Sequence, residues 1–272
     1  MEQWRPKRLI ICGDSFNIGI GCQDLTTQPY GTLLADHYGI PLVNLAKGSS
    51  TNLSIWLQVE YAIRELKAGP DDLILVNETS SNRFNWFPDD KPHSGQITNL
   101  DVNYHKYPPY GDFSYHQILP EHPMQNHPGY TGTMITENIA GVLDFLDNYL
   151  ARGDYQIDRY YDRIARENPA KLKLMANFYA SIYDENISQL QSKAFMSMSS
   201  TMIARSGAKH LMLLANPNWY RELIADENLM YLSWGEITLE YPDNIPSGHA
   251  DERGHVVAKD MIVHKLKLNG WI

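Results

Sequence analysis

The sequence predicts an α/β fold in three layers. A central parallel sheet of about five strands is flanked by helices, and a large, mostly helical insertion separates strands 3 and 4. Three observations carry this. Short apolar runs recur that read as strands buried on both faces. Segments with apolar residues at helical spacing lie between the first of them, so that residues 8–80 alternate strand, helix, strand, helix, strand. The same rhythm stops near residue 84 and returns near 209.

In order, Leu9-Ile10-Ile11-Cys12 is the first strand, and Gly13 breaks it. Pro29 to Tyr38 reads as a helix stopped by Gly39, and Pro41 to Ala46 as the second strand. Leu53, Trp56, Leu57, Glu60, Ile63 and Leu66 share helical spacing, and Gly69-Pro70 closes that helix. Asp72 to Asn77 is the third strand. Residues 84–132 are rich in Pro, Asp, His, Tyr and Gly and show no sustained period, which in a compact domain marks a functional or interface loop. Residues 133–152 and 157–167 read as helical, and 170–206 as one long helical pattern ended by Gly207. Met196, Met198, Met202 and Met212 read as core filler. His210 to Ala215 is the fourth strand, Met230 to Trp234 a short fifth, and residues 251–267 the closing helix. One domain, 1–272, with an insertion or cap at 84–206 accounts for the whole chain.

Composition narrows the function. With 272 residues, 43% hydrophobic and 20% charged, the chain suits a globular protein with a proper core. A net charge of −9 without a basic stripe argues against nucleic acid. No apolar run approaches a membrane span, and residues 1–6 carry no apolar leader, so the expected location is the cytoplasm, or a particle assembled from it. Cys12 and Cys22 do not make a disulfide framework. The load of 17 tyrosines and 6 tryptophans suits either a carbohydrate site or a subunit interface.

The chemistry-bearing segments fall at strand ends. Gly13–Ser15, Ala46–Asn52, Glu78–Arg83 and the loop ending Ser247-Gly248-His249 converge on one edge of a parallel sheet, where ligands bind in open α/β folds. Ser15 reads either as a helix N-cap or as a nucleophile. With a histidine to take its proton and N–H donors beside Gly48, the set contains the parts of acyl transfer. Thr79-Ser80-Ser81-Asn82 adds side-chain donors, and Arg83 reads as an anion site or a salt-bridge partner.

Gly13-Asp14-Ser15 after the first strand, Val43 to Ser50 around Gly48, and the terminal His249 and His255 six residues apart resemble the SGNH hydrolases, also called GDSL-type esterases and lipases. The resemblance covers about residues 8–83 and 209–265 and implies a flavodoxin-like sheet with Ser15 as nucleophile. It also implies Gly48 as an oxyanion donor and a third donor at Ser81 or Asn82, where the family's Gly-x-Asn-Asp is replaced by Thr79 to Asn82. Two registers fit the last block. His249 is the base in the first, with Ser247 where the acid should stand; Asp251 and His255 are the pair in the second. The site then works as a Ser15–His249 dyad, borrows a carboxylate from Asp243 or Asp251, or is degenerate and kept for binding. The implied substrate is a small-molecule or carbohydrate ester, and no cofactor or metal is expected. Aromatics Trp86, Tyr104, Tyr107, Tyr110, Tyr115 and Tyr130 suit sugar stacking or packing. Histidines 93, 105, 116, 122 and 127 lack the spacing of a known metal site. The competing expectation is a non-catalytic subunit of a larger assembly, such as a homo-oligomer or a virus particle, docking through residues 84–206.

Overall fold

In the computed structural model, residues 4–48, 50–81, 182, 184–243 and 249–272 are described. Five strands, β1 (Arg8–Cys12), β2 (Leu42–Asn44), β3 (Asp72–Asn77), β4 (Lys209–Leu214) and β5 (Leu229–Tyr231), form one sheet in the order β2-β1-β3-β4-β5. All four pairings are parallel. β1 and β3 are central, and their residues Leu9–Cys12 and Leu73–Val76 are fully buried. That is why they are apolar without alternation: side chains on both faces meet a helical layer.

Ile10, Cys12, Ile74 and Val76 point to one layer, made by α3 (Asn52–Arg64) and α4 (Glu185–Ser206). Leu9, Ile11, Leu73 and Leu75 point to the other, made by α2 (Tyr30–Tyr38), α5 (Trp234–Glu240) and α6 (Glu252–Leu268). A four-residue helix, α1 (Ser15–Ile18), follows β1 directly. The architecture is therefore a three-layer α/β fold with a five-stranded parallel sheet.

Several boundaries differ from the sequence reading. Within the 170–206 pattern, Asp184 is extended (φ −127°, ψ 118°) and its carboxylate caps α4 at the Asn186 and Ile187 N–H groups, so this helix begins at Glu185. α4 is also part of the fold proper. It packs on α3 and β4, and its buried serines 188, 192, 199 and 200 allow close approach. The 84–206 insertion therefore includes, at its C-terminal end, the crossover helix of the β3–β4 connection. The fifth strand ends at Tyr231 because the Ser233 hydroxyl accepts the Glu236 N–H and opens α5 at Trp234. Met196 and Met212 are core and Met202 packs against it, but Met198 is exposed. Cys12 is a buried free thiol. The insertion aromatics and histidines lie outside the described residues.

Candidate active site

Gly13 must lack a side chain. A Cβ there would lie 2.1 Å from Asn17 Oδ1. Asn17 itself is committed: its Oδ1 accepts the Asp14 N–H (3.0 Å) and its Nδ2 donates to the Tyr30 hydroxyl (2.6 Å). Asp14 caps α1, accepting the Phe16 N–H with Oδ1 and the Thr79 hydroxyl with Oδ2 (2.7 Å). Ser15 is therefore the first residue of a helix braced from three directions and is 6% exposed.

The turn is tied to the loop after β2. The Lys47 N–H donates to the Gly13 carbonyl (3.2 Å), and the fully buried Gln58 of α3 clamps both segments. Its Oε1 accepts the Gly13 N–H (2.6 Å), while Nε2 donates to the Gly13 carbonyl (3.0 Å) and Ser50 Oγ (3.3 Å). Gly48 stands in a turn one residue past Lys47. Among the described residues, the N–H groups of Ser15 and Gly48 donate to no oxygen.

The central finding is that His249 Nε2 lies 2.8 Å from Ser15 Oγ, across 234 residues of chain. His249 reaches it from a short antiparallel bridge, Pro242 to Ala250, in which its carbonyl accepts the Asp243 N–H (3.0 Å). Its ring lies against Phe16 with centroids 4.6 Å apart. Phe16 in turn stacks on Trp234 (5.2 Å, 15°), whose indole N–H donates to Asn77 Oδ1 at the end of β3 (3.1 Å).

The residues of the second register lie apart from Ser15 Oγ. His255 is 0% exposed and stacks between Tyr30 and Trp234, and its Nδ1 accepts the Tyr30 N–H (3.3 Å). Burial, aided by the neighbouring His249, pushes its imidazole down to about 4, so it is neutral near pH 7. It faces the packed interior, and it is His249 that stands at Ser15 Oγ.

Asp251 is likewise not paired with His255. It is the N-cap of α6: Oδ1 accepts the Arg253 and Gly254 N–H groups, and Oδ2 holds Arg253 (2.6 Å). Burial raises its carboxyl, but the Arg253 guanidinium and the cap N–H groups outweigh that and hold it below the usual range.

After β3 the chain places Thr79 against the turn that carries Ser15. Thr79 donates its hydroxyl to Asp14 and its N–H to Asn52 Oδ1 (2.9 Å). Ser81 is half-buried in a turn, while Asn82, Arg83 and Ser247 lie outside the described residues. Gln58, Asn17, Phe16 and Trp234 were not singled out by sequence reasoning. Gln58 alone left a trace, as a polar residue among the apolar inward positions Ile55, Val59 and Ala62 of α3. Among the described residues, no group of three or more His, Cys, Asp or Glu is placed to hold a metal ion. No described helix is long and apolar enough to cross a membrane.

No family model and no curated protein matches this chain. Among solved structures, it is similar to a protein described as lipolytic, of the G-D-S-L family, from Desulfitobacterium hafniense DCB-2. The identity is 12% and the TM-score 0.31, over 96% of this chain and 99% of that one. It is also similar to LAE5, an alpha/beta hydrolase enzyme from the metagenome of Lake Arreo, Spain, at 13% identity and TM-score 0.32, over 98% and 97%. Likeness at that level says nothing of this chain's chemistry, which rests on its own side chains.

Proposed function

We propose that the chain is a serine ester hydrolase of SGNH type, acting on a small-molecule or carbohydrate ester. The observation that carries this is the 2.8 Å contact between Ser15 Oγ and His249 Nε2 at the C-terminal edge of a parallel sheet.

The chemistry follows from that pair. His249 Nε2 takes the Ser15 hydroxyl proton as Oγ attacks the ester carbonyl carbon. The carbonyl π electrons move to oxygen, and the N–H groups of Ser15 and Gly48 hold the resulting oxyanion. Collapse expels the alcohol, which takes the proton from His249. Water then attacks the acyl-Ser15 carbonyl and gives a proton to His249, and a second collapse returns that proton to Ser15 and releases the acid. Asn82 or Ser81 completes the oxyanion set in this reading, and Arg83 is the candidate for a substrate anion.

Incubation with a fluorophosphonate tests this directly. The expected result is a single adduct on Ser15 by mass spectrometry, with p-nitrophenyl acetate turnover lost in Ser15→Ala. Equal turnover in the two proteins and no adduct would leave the fold as a binding or assembly scaffold and end the enzymatic reading.

A further inference from the structure

The imidazole that serves Ser15 has a neighbour with no role in the reaction above. Phe16 follows the nucleophile in α1, and its ring centroid lies 4.6 Å from that of His249, tilted by 42°. A cation is attracted to an aromatic ring when it lies within about 6 Å of the centroid. The phenyl ring is itself packed. It stacks on Trp234 at 5.2 Å, nearly parallel, and Trp234 is held by its N–H to Asn77 and by packing on Tyr30 (5.7 Å) and His255 (5.1 Å).

Acyl transfer passes through an imidazolium at His249, created as the Ser15 proton arrives. In a triad enzyme a carboxylate orients the ring and stabilises that cation. Here the Asp251 carboxylate, two residues on, is engaged by Arg253 and the α6 cap.

We propose that Phe16 is a positioning residue for His249: backed by Trp234, its ring holds the imidazole at Ser15 Oγ and favours the imidazolium that forms there. This rests on the ester hydrolase reading and deepens it. Among the described residues, His255 couples electrostatically to the imidazole, Asp243 bonds to its backbone across the β-bridge, and Asp14 at the α1 cap and Asp251 with Arg253 at the start of α6 stand beside Ser15 and His249 in the chain. A change at Phe16 alters none of them chemically, so its effect is separable from theirs.

The test is an NMR titration of the histidine ring protons, with His249 assigned by its loss in His249→Gln. Alongside it runs the pH dependence of the fluorophosphonate labelling rate. Phe16→Leu is expected to lower the His249 midpoint by about 0.7 unit and the limiting labelling rate by about fivefold. Phe16→Tyr, which keeps the ring, restores both. Phe16→Met replaces the leucine variant should that one not fold. An unchanged midpoint in the leucine or methionine variant, or no recovery in Phe16→Tyr, overturns the proposal, whatever happens to the melting temperature. The titration needs no turnover. If the wild type is never labelled, the hydrolase reading fails on its own account and the midpoints still decide whether the ring acts on the imidazole.

Discussion

At Gly21 the backbone takes φ +103°, and a Cβ there would lie 2.2 Å from the Ala250 carbonyl oxygen and 3.1 Å from His249 Cβ. The loop after α1 therefore presses directly on the strand that delivers His249, and only glycine permits the approach. Gly21→Ala adds left-handed strain and a steric push of order 1–3 kcal/mol each. Much of the second falls on the position of the imidazole. The expected outcome is lower stability in urea and a labelling rate at Ser15 down by about tenfold or more, because a shift near 1 Å in a reacting group is costly. Gly39→Ala is the matched control. It too has positive φ (+63°), but its Cβ would meet nothing within 4 Å. It should cost about 1 kcal/mol of stability and leave labelling unchanged. If the two variants slow labelling equally, the effect is general loosening rather than displacement of His249.

Among the elements, α6 shows how one side chain can be read two ways. An aspartate near a histidine in the last block suggests a catalytic acid, yet Asp251 is what a helix N-terminus requires: an acceptor for the N–H groups of its first turn. Asp251→Asn keeps the cap and removes the charge. Stability should change by a few tenths of a kcal/mol for the cap and little more for the exposed, solvent-screened Arg253 pair, with the Ser15 labelling rate within about threefold of wild type. Asp251→Ala should cost about 1 kcal/mol or somewhat more, again without abolishing labelling. Loss of a true triad acid costs about ten-thousandfold, so a collapse of that size in Asp251→Asn would return the carboxylate to the chemistry. The same contrast explains what the sequence makes legible. β1, β3 and β4 were readable because burial on both faces forces unbroken apolar runs. α3 and α6 were readable because Thr51, Asp251 and the helical spacing mark them locally. The meeting of Ser15 and His249 was foreseeable because both sit beside strand and helix ends at one rim of the sheet. Asn17, Tyr30 and Gln58 were not readable. Each acts through a partner 13 to 45 residues away, and nothing local says which partner a polar side chain will choose.

At the scale of the molecule, two buried imidazoles and the half-buried Glu78 carboxyl among the described residues oppose one another in their pH dependence. Burial pushes the Glu78 carboxyl, which accepts the Tyr220 hydroxyl, up to about 7 from its ordinary 4.5. Burial pushes the imidazoles of His210, bonded to Ser200 Oγ (2.8 Å), and of His255 down to about 4 from 6.5. Between about pH 4.5 and 7 the folded state holds the Glu78 proton that the unfolded chain has released. Stability from this group therefore falls as pH rises through that window, and the loss is complete above the folded value. For the histidines the unfolded chain binds the extra protons between about pH 4 and 6.5. Their contribution is present above 6.5 and is lost as pH falls towards 4. From 4.5 to about 6.5 two imidazoles outweigh one carboxyl and stability climbs; above about pH 7 the last histidine protons of the unfolded chain and the Glu78 proton of the fold nearly cancel, and stability levels off. These three groups therefore give a rise to a plateau, detectable by urea denaturation across pH 4.5–8. Glu78→Gln, which keeps an acceptor for Tyr220, should steepen the climb. The stability of wild type minus Glu78→Gln should fall by on the order of 2 kcal/mol from pH 4.5 to 8, less than full desolvation implies because Glu78 is only half-buried. A difference that stays flat across that range would mean that Glu78 titrates in the fold as it does in the unfolded chain.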